Sequence, residues 1–163
     1  MHFQNSEFPM SDGKTYHLET RRGDIANRII TVGDKSRALI IASFLDKTTF
    51  AHTSKRNMTT ITGTYKDIPV SIVAIGMGVA MVDFFIRETE AIVDGPIAVI
   101  RFGSCGSIGS PKIGNVFVAK DGAVLISRDF DAFLDSDKKI GYKFSKLVEA
   151  DEKLSNHVYM GLI

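Results

Sequence analysis

The stretch Asn27-Arg28-Ile29-Ile30-Thr31-Val32-Gly33-Asp34-Lys35-Ser36-Arg37 passes from an apolar, β-branched run through a glycine into a polar segment. Its first six residues predict a short buried strand, because β-branched side chains pack well on a pleated surface. Gly33–Asp34 ends that strand. The next segment, Ser36 to Leu45, predicts a helix. The residues predicted for its inner side are Leu39, Ile40, Ala42, Ser43 and Phe44.

The same alternation of strand, glycine turn and helix continues along the chain. Strands are predicted at Met58–Tyr65, Ile68–Ile75, Ile97–Phe102, Val116–Ala119 and Ala123–Ile126, and helices at Val79–Val93 and Ser145–Tyr159. Strands alternating with helices predict an α/β layer fold. In open α/β sheets, ligands bind at the carboxyl ends of the strands. Three such ends are predicted, at Gly33, Gly76–Gly78 and Gly103–Gly106.

Composition excludes several classes of function. The chain has 163 residues, which suggests one domain, and its 20 Lys+Arg against 19 Asp+Glu give no basic excess for nucleic acid or an anionic membrane. We therefore expect neither partner. Cys105 is the only cysteine, which excludes an internal disulfide and a four-cysteine zinc site. A single cysteine is compatible with a reducing compartment, and we expect a cytoplasmic protein.

The turn from Gly33 to Arg37 is a candidate anion site. Glycine lets backbone N–H groups approach an anion, and the start of a helix adds partial positive charge. Arg37, in the first helical turn, can fold back to contact an oxyanion. The alternative is a helix capped by Asp34 or Ser36, with Arg37 as a solvated surface charge. Spacing alone favours this alternative, because short glycine motifs are common.

Arg101 lies in a run otherwise suited to a central strand, Val99–Ser104. Arginine is rarely buried without a partner, and at the carboxyl end of a strand it faces the ligand crevice. Ser104 follows in a glycine-flanked turn that suits an anion. The alternative is a structural ion pair with Glu88 or Glu90, and the pattern does not separate the two hypotheses.

The other candidate motifs give weaker evidence for a functional site. Cys105 lacks an assignable histidine base, so we expect a small buried residue in a glycine turn rather than a nucleophile. Gly76-Met77-Gly78 lacks the third glycine of a dinucleotide site and predicts a tight strand-to-helix turn. The four histidines have no metal-ligand spacing, so no metal site is predicted.

Three segments together resemble the nucleoside phosphorylase family of uridine phosphorylases and hexameric purine nucleoside phosphorylases. They are Tyr16-His17-Leu18, the turn Gly33 to Arg37, and Val99–Gly106, which is similar to the family's R-x-G-[ST]-x-G strand end. The resemblance covers roughly residues 15–160 and is closer to the uridine phosphorylases. It implies an α/β/α fold of three layers with a central mixed sheet, formed by residues 1–163 as one domain.

The resemblance also implies a reaction and a set of roles. Inorganic phosphate is the co-substrate, and it cleaves a nucleoside into a free base and ribose 1-phosphate without a cofactor. Phosphate would be held by Gly33, Arg37, Arg101 and Ser104. Arg56 would reach the phosphate, and His17 the ribose 5′-hydroxyl, from a neighbouring subunit of a homo-oligomer, a dimer or a trimer of dimers. Asn57 occupies the family's position for a carboxylate ligand to an interface cation, so that ion is not predicted.

Family members are longer than 163 residues, and the base-binding Gln/Arg pair and ribose-binding Met-Glu segment of their C-terminal part are not found in this sequence. We therefore expect a fold that lacks the C-terminal part. Uridine is the expected nucleoside, with purine nucleosides as the alternative. A further alternative is a truncated, non-catalytic subunit that binds phosphate.

Overall fold

Five strands and two helices make up the chain before Gly106 in the computed structural model, which describes residues 12–109, 111–134, 137 and 141–163. The elements are β1 (Arg28–Val32), α1 (Lys35–Ala42), β2 (Lys47–Thr53), β3 (Thr59–Tyr65), β4 (Ile68–Ala74), α2 (Val79–Ile92) and β5 (Ala98–Arg101). The chain divides between Gly106 and Ser107 into two compact units. The prediction that residues 1–163 form one domain stays a prediction.

The five strands form one mixed sheet in the order β2-β3-β4-β1-β5. β1 lies between β4 and β5 and is parallel to both, whereas β2, β3 and β4 are antiparallel neighbours. Lys66 and Asp67 both have positive φ, 51° and 64°, as a two-residue turn between β3 and β4 requires. The strands predicted at Met58–Tyr65 and Ile68–Ile75 are therefore confirmed, and they form a hairpin.

A helix covers each face of this sheet. On one face, Ile29 and Val73 pack with Phe85 and Ile92 of α2. On the other face, Val32 and Ile72 pack with Ala38 of α1. Alternate residues of β1 and β4 thus enter opposite cores, as the period of two in a strand dictates. The predicted α/β/α fold of three layers with a mixed sheet is confirmed.

Helix α1 buries fewer of its side chains against the sheet than predicted. Its predicted inner residues Leu39, Ile40 and Phe44 are exposed, and Ala38 is its buried residue. The helix ends at Ala42, three residues before the predicted end. Phe44 instead borders an open apolar cavity of about 260 Å³ together with Ile41, Tyr65 and other apolar residues of the sheet face.

The second unit has less regular structure. It contains β6 (Ile126–Arg128), antiparallel to β7 (Tyr142–Phe144), a 3₁₀ turn at Phe130–Phe133 and α3 (Glu152–Met160). The predicted strand at Val116–Ala119 is wrong, since these residues are coil. The strand predicted at Ala123–Ile126 begins only at Ile126. The helix predicted from Ser145 begins at Glu152, because the Asp151 side chain accepts the Leu154 N–H and caps it there.

No helix in the described part of the chain is long and apolar enough to cross a membrane.

Candidate functional site

The carboxyl ends of three parallel strands meet at one edge of the sheet. The Ile75 N–H donates to Val32 O (3.0 Å), and the Phe102 N–H donates to Thr31 O (2.8 Å). These bonds bring the ends of β4 and β5 beside the end of β1, where Gly33 follows. The predicted convergence of the glycine turns after β1, β4 and β5 is thus confirmed for the strand ends themselves.

Two guanidinium groups occupy the space over Gly33. A Cβ placed on Gly33 would lie 2.6 Å from Nη2 of Arg37 and 3.8 Å from Nη2 of Arg101. Arg37 reaches this point from the first turn of α1, and Arg101 from the last residue of β5. The absence of a side chain at Gly33 therefore creates the room that the two arginines share.

Asp34 orients Arg37. One carboxylate oxygen of Asp34 accepts the Arg37 N–H (2.9 Å), and the other accepts Arg37 Nε (2.5 Å). The bond from the Arg37 backbone, then that from its side chain, then one from Ser36 lower the pKa of Asp34 from 3.8 to about 2. Asp34 is therefore the helix cap that the sequence suggested, but Arg37 is paired and turned toward Gly33 rather than freely solvated.

Arg101 is held by the backbone of the neighbouring turn, where its Nη2 donates to Gly76 O (2.8 Å). Partial burial, and secondarily the charge of Arg37, lower the pKa of Arg101. Neither of the predicted ion-pair partners is used: Glu88 binds His17, and Glu90 is exposed. Arg101 makes no ion pair with any carboxylate of the described residues.

The charges at this edge do not balance. Asp34 offsets Arg37, whereas Arg101 adds a second cation, and the N-terminus of α1 contributes partial positive charge. Two guanidinium groups on one point repel each other unless an anion lies between them. The geometry suits a small oxyanion with several oxygens, since each guanidinium offers a fork of N–H donors.

The segment after β5 differs from the prediction. Ser104 is exposed and makes no hydrogen bond with another described residue. Cys105 is also exposed, so the prediction of a small buried residue there is wrong. The reason is that Phe102 to Ile108 run as open coil, with Phe102 and Ile108 themselves exposed.

His17 belongs to a different cluster, centred on Glu88. The fully buried Glu88 carboxylate accepts the backbone N–H groups of His17 (2.8 and 3.0 Å) and Leu18 (2.8 Å), and lies 2.5 Å from His17 Nδ1. The Phe84 ring stacks on the imidazole, with centroids 4.1 Å apart. This pairing was not predicted from the sequence. The only sequence signal was the spacing of Phe84 and Glu88, which places both on one face of α2.

Arg56 adjoins this second cluster through Tyr16. Its Nη2 donates to the Tyr16 hydroxyl (2.8 Å), and its guanidinium lies 5.0 Å from the ring centroid. The Tyr16 ring in turn meets His17 edge-on. The structure therefore groups Arg56 with His17, and neither makes a hydrogen bond with Arg37 or Arg101. The turn that carries Arg56 lies at the same edge of the sheet, because β3 begins at Thr59 opposite the end of β4.

The fold is that of an α/β/α protein, with a candidate anion site at the arginine-lined carboxyl ends of its parallel strands. Residues 27–160 match the model of the Phosphorylase superfamily. The chain belongs to this superfamily. The predicted resemblance to the nucleoside phosphorylases is thereby confirmed.

Individual relatives include both purine and pyrimidine enzymes. The chain is 34% identical over 155 residues to a DeoD-type purine nucleoside phosphorylase of Colwellia psychrerythraea, covering 91% of this chain and 65% of the relative. It is similar to a structure from work on two uridine phosphorylases of the oomycete Phytophthora capsici, with a TM-score of 0.89, 39% identity and coverage of 93% of this chain and 53% of that one. The chain thus spans between half and two thirds of the length of these relatives.

Proposed function

We propose that this chain is the phosphate-binding part of a nucleoside phosphorylase that converts uridine and inorganic phosphate to uracil and ribose 1-phosphate. The observation that supports it best is the convergence of Arg37 and Arg101 over Gly33. Arg37 is paired with Asp34, and Arg101 has no carboxylate partner among the described residues, so this edge has an excess of positive charge that suits an anion with several oxygens such as phosphate. Ser104, in the coil that follows β5, is the proposed hydroxyl donor.

The proposed reaction uses the charge of bound phosphate. A phosphate oxygen bonds to C1′ of the ribose while the bond from C1′ to the base breaks, and that electron pair leaves with the base, which takes up a proton. The ribose is positively charged at the transition state, so a dianion beneath it stabilises that charge. The arginines hold the phosphate in line and offset the cost of removing it from water.

A neighbouring subunit is the proposed source of the remaining contacts. Arg56 and Tyr16 are exposed and His17 is half-buried, and they form one cluster with no hydrogen bond to the two phosphate arginines. In a symmetric dimer, this cluster of one subunit can face the Gly33 edge of the other. Arg56 then meets the phosphate and His17 meets the ribose 5′-hydroxyl.

Uridine is the proposed nucleoside because the oomycete structure has the higher identity of the two relatives over nearly the whole chain, 39% against 34%. Purine nucleosides are the second candidate, supported by the DeoD-type relatives. Inosine is therefore the comparison substrate.

The test incubates the purified chain with phosphate and either uridine or inosine, and follows base and ribose 1-phosphate by chromatography. Arg101→Ala is the test variant. Arg28→Ala is its matched control, because Arg28 is also an exposed arginine of this sheet but lies at the opposite end of β1. We expect uracil release that requires phosphate and Arg101 but not Arg28. Faster release of hypoxanthine than uracil would favour the purine candidate.

Phosphate titration of the same chains, by calorimetry, addresses the non-catalytic alternative. Phosphate binding that depends on Arg101, without product from either nucleoside, would favour a phosphate-binding subunit. Equal phosphate affinity in the wild type and Arg101→Ala would contradict both hypotheses.

A further inference from the structure

Helix α2 contributes a buried carboxylate to the cluster around His17. Glu88 has no solvent exposure, and the four contacts it makes are all to His17 and Leu18. A carboxylate this buried is unfavourable unless each oxygen is hydrogen-bonded. Here both oxygens accept backbone N–H groups, so hydrogen bonds hold His17 and Leu18, in the segment before β1, against α2.

The same carboxylate determines which nitrogen of His17 carries the hydrogen. Both oxygens of Glu88 already act as acceptors, so its 2.5 Å contact with Nδ1 is made by a hydrogen on Nδ1. In the neutral imidazole, Nε2 is then the acceptor. Nε2 has no partner among the described residues, and the His17 side chain keeps 16% of its surface exposed.

Two aromatic rings restrict the orientation of the imidazole further. Phe84 stacks on it with an interplanar angle of 19°, and Tyr16 meets it at 81° with centroids 5.0 Å apart. Phe84 and Glu88 are four residues apart on α2, so one helix face supplies both the stacking surface and the carboxylate.

We infer that Glu88 is a positioning residue: it fixes His17 as the tautomer protonated on Nδ1, so that Nε2 accepts a hydrogen bond from the ribose 5′-hydroxyl. The ribose part of this inference rests on the proposed function. A fixed acceptor favours nucleosides that carry a 5′-hydroxyl and discriminates against those that lack it. Glu88 acts on the substrate only through His17.

The first test reads the tautomer directly and does not require activity. The chain is labelled with ¹⁵N-histidine, and long-range ¹H–¹⁵N spectra are recorded at a pH where the imidazole is neutral, with His17→Gln to assign the signals. We expect a protonated Nδ1 and an unprotonated Nε2 for wild-type His17. A protonated Nε2 in the neutral imidazole, or averaging between the two tautomers, would overturn the inference. The wild-type spectrum decides this, so no Glu88 variant is needed.

The second test uses Glu88→Gln, with Glu90→Gln as its matched control, because Glu90 is an exposed glutamate of the same helix. We expect Glu88→Gln to lose the fixed tautomer and Glu90→Gln to keep it. In kinetics, the wild type and Glu90→Gln should prefer uridine over 5′-deoxyuridine by about tenfold in kcat/KM, because one hydrogen bond contributes about that factor. Glu88→Gln should lose most of that preference.

The outcomes separate this inference from the proposed function. If neither uridine nor inosine is cleaved by the wild type, the proposed function fails and the ribose part of the inference falls with it, while the spectra still decide the Glu88–His17 part. If uridine is cleaved and Glu88→Gln keeps both the tautomer and the preference for the 5′-hydroxyl, the inference is overturned and the proposed function stands. If Glu88 only holds the segment before β1 against α2, a folded Glu88→Gln chain should keep the wild-type preference for uridine over 5′-deoxyuridine.

Discussion

Arg37 and Arg101 come from different elements, yet both guanidinium groups lie over Gly33, 2.6 and 3.8 Å from where a Cβ would stand. The sheet order explains this, because β5 pairs with β1 and α1 follows β1 directly. Folding therefore holds two like charges together before any ligand arrives. An anion bound between the two guanidinium groups would reduce that repulsion.

Gly33→Ala tests whether this shared space matters. The added methyl group meets the flexible end of Arg37, not backbone, so Arg37 shifts and the fold tolerates the change. We expect phosphate affinity to fall about tenfold, as for the loss of one charge-assisted hydrogen bond, with little change in the melting temperature. Calorimetric titration with phosphate measures it. Gly141→Ala is the control, since nothing lies within 4 Å of a Cβ there. Unchanged phosphate affinity in Gly33→Ala would contradict the assignment of Gly33 to the site.

Asp34 gives the fold a predictable dependence on pH. Its folded pKa, about 2, lies below its ordinary value of 3.8, so the ionised carboxylate is favoured in the folded chain. Its contribution to stability is therefore complete above about pH 5 and is lost progressively as the pH falls from about 5 to 1. We expect Asp34→Asn to unfold at lower urea than the wild type at pH 6, and most of the difference to be gone at pH 2.

The matched control for this titration is Asp46→Asn, because Asp46 is exposed and its side chain makes no hydrogen bond or ion pair with a described residue. Its urea midpoint should follow that of the wild type from pH 6 to pH 2. A difference between Asp34→Asn and wild type that persisted undiminished at pH 2 would show that Asp34 stabilises the chain by something other than its charge.

The core of the fold was predictable because its elements carry strong apolar patterns. β1, β4, α2 and β5 were all predicted to within two residues, and each supplies side chains to one of the two cores or packs against it. β2 was missed, because an edge strand of polar residues such as Lys47–Thr53 lacks an apolar face. The strand predicted at Val116–Ala119 failed for the opposite reason: its apolar residues Val116 and Phe117 are exposed.

The candidate site was predictable only in part. Gly33, Arg37 and Arg101 follow strand ends, and the topology of parallel strands brings such ends together. The contact between His17 and Glu88 joins residues far apart in the chain. The spacing of Phe84 and Glu88 places both on one face of α2, but it does not identify His17 as their partner. The sequence offered Glu88 or Glu90 as the alternative ion-pair partner of Arg101. Glu88 contacts His17 and Glu90 is exposed, and the Arg101 guanidinium donates to Gly76 O instead.

Gly63→Ala tests the β2–β3 pairing that supports the turn carrying Arg56. A Cβ on Gly63 would overlap the backbone oxygen of Lys47, beside the irregularity in register between Thr48 and Phe50. Backbone cannot move aside as a flexible side chain can, so we expect a loss of about 1–3 kcal/mol in the free energy of unfolding, measured by urea denaturation. Thr48→Ala, at the paired position, is the control and should cost less. Equal stability of wild type and Gly63→Ala would contradict this packing.

Mixing two inactive variants tests whether His17 serves the neighbouring subunit. Arg101→Ala removes the proposed phosphate contact and His17→Gln the proposed ribose contact, so each chain alone is expected to be nearly inactive in uridine cleavage. If the two residues act in the same subunit, every site in the mixture is defective. If His17 acts across a symmetric dimer, each mixed dimer has one intact site, and an equal mixture re-formed from dissociated subunits should regain about one quarter of the wild-type sites. Uracil release before and after mixing measures this. Activity that stays at the level of the separate variants would place His17 and Arg101 in sites of the same chain, and would contradict the exchange of residues between subunits.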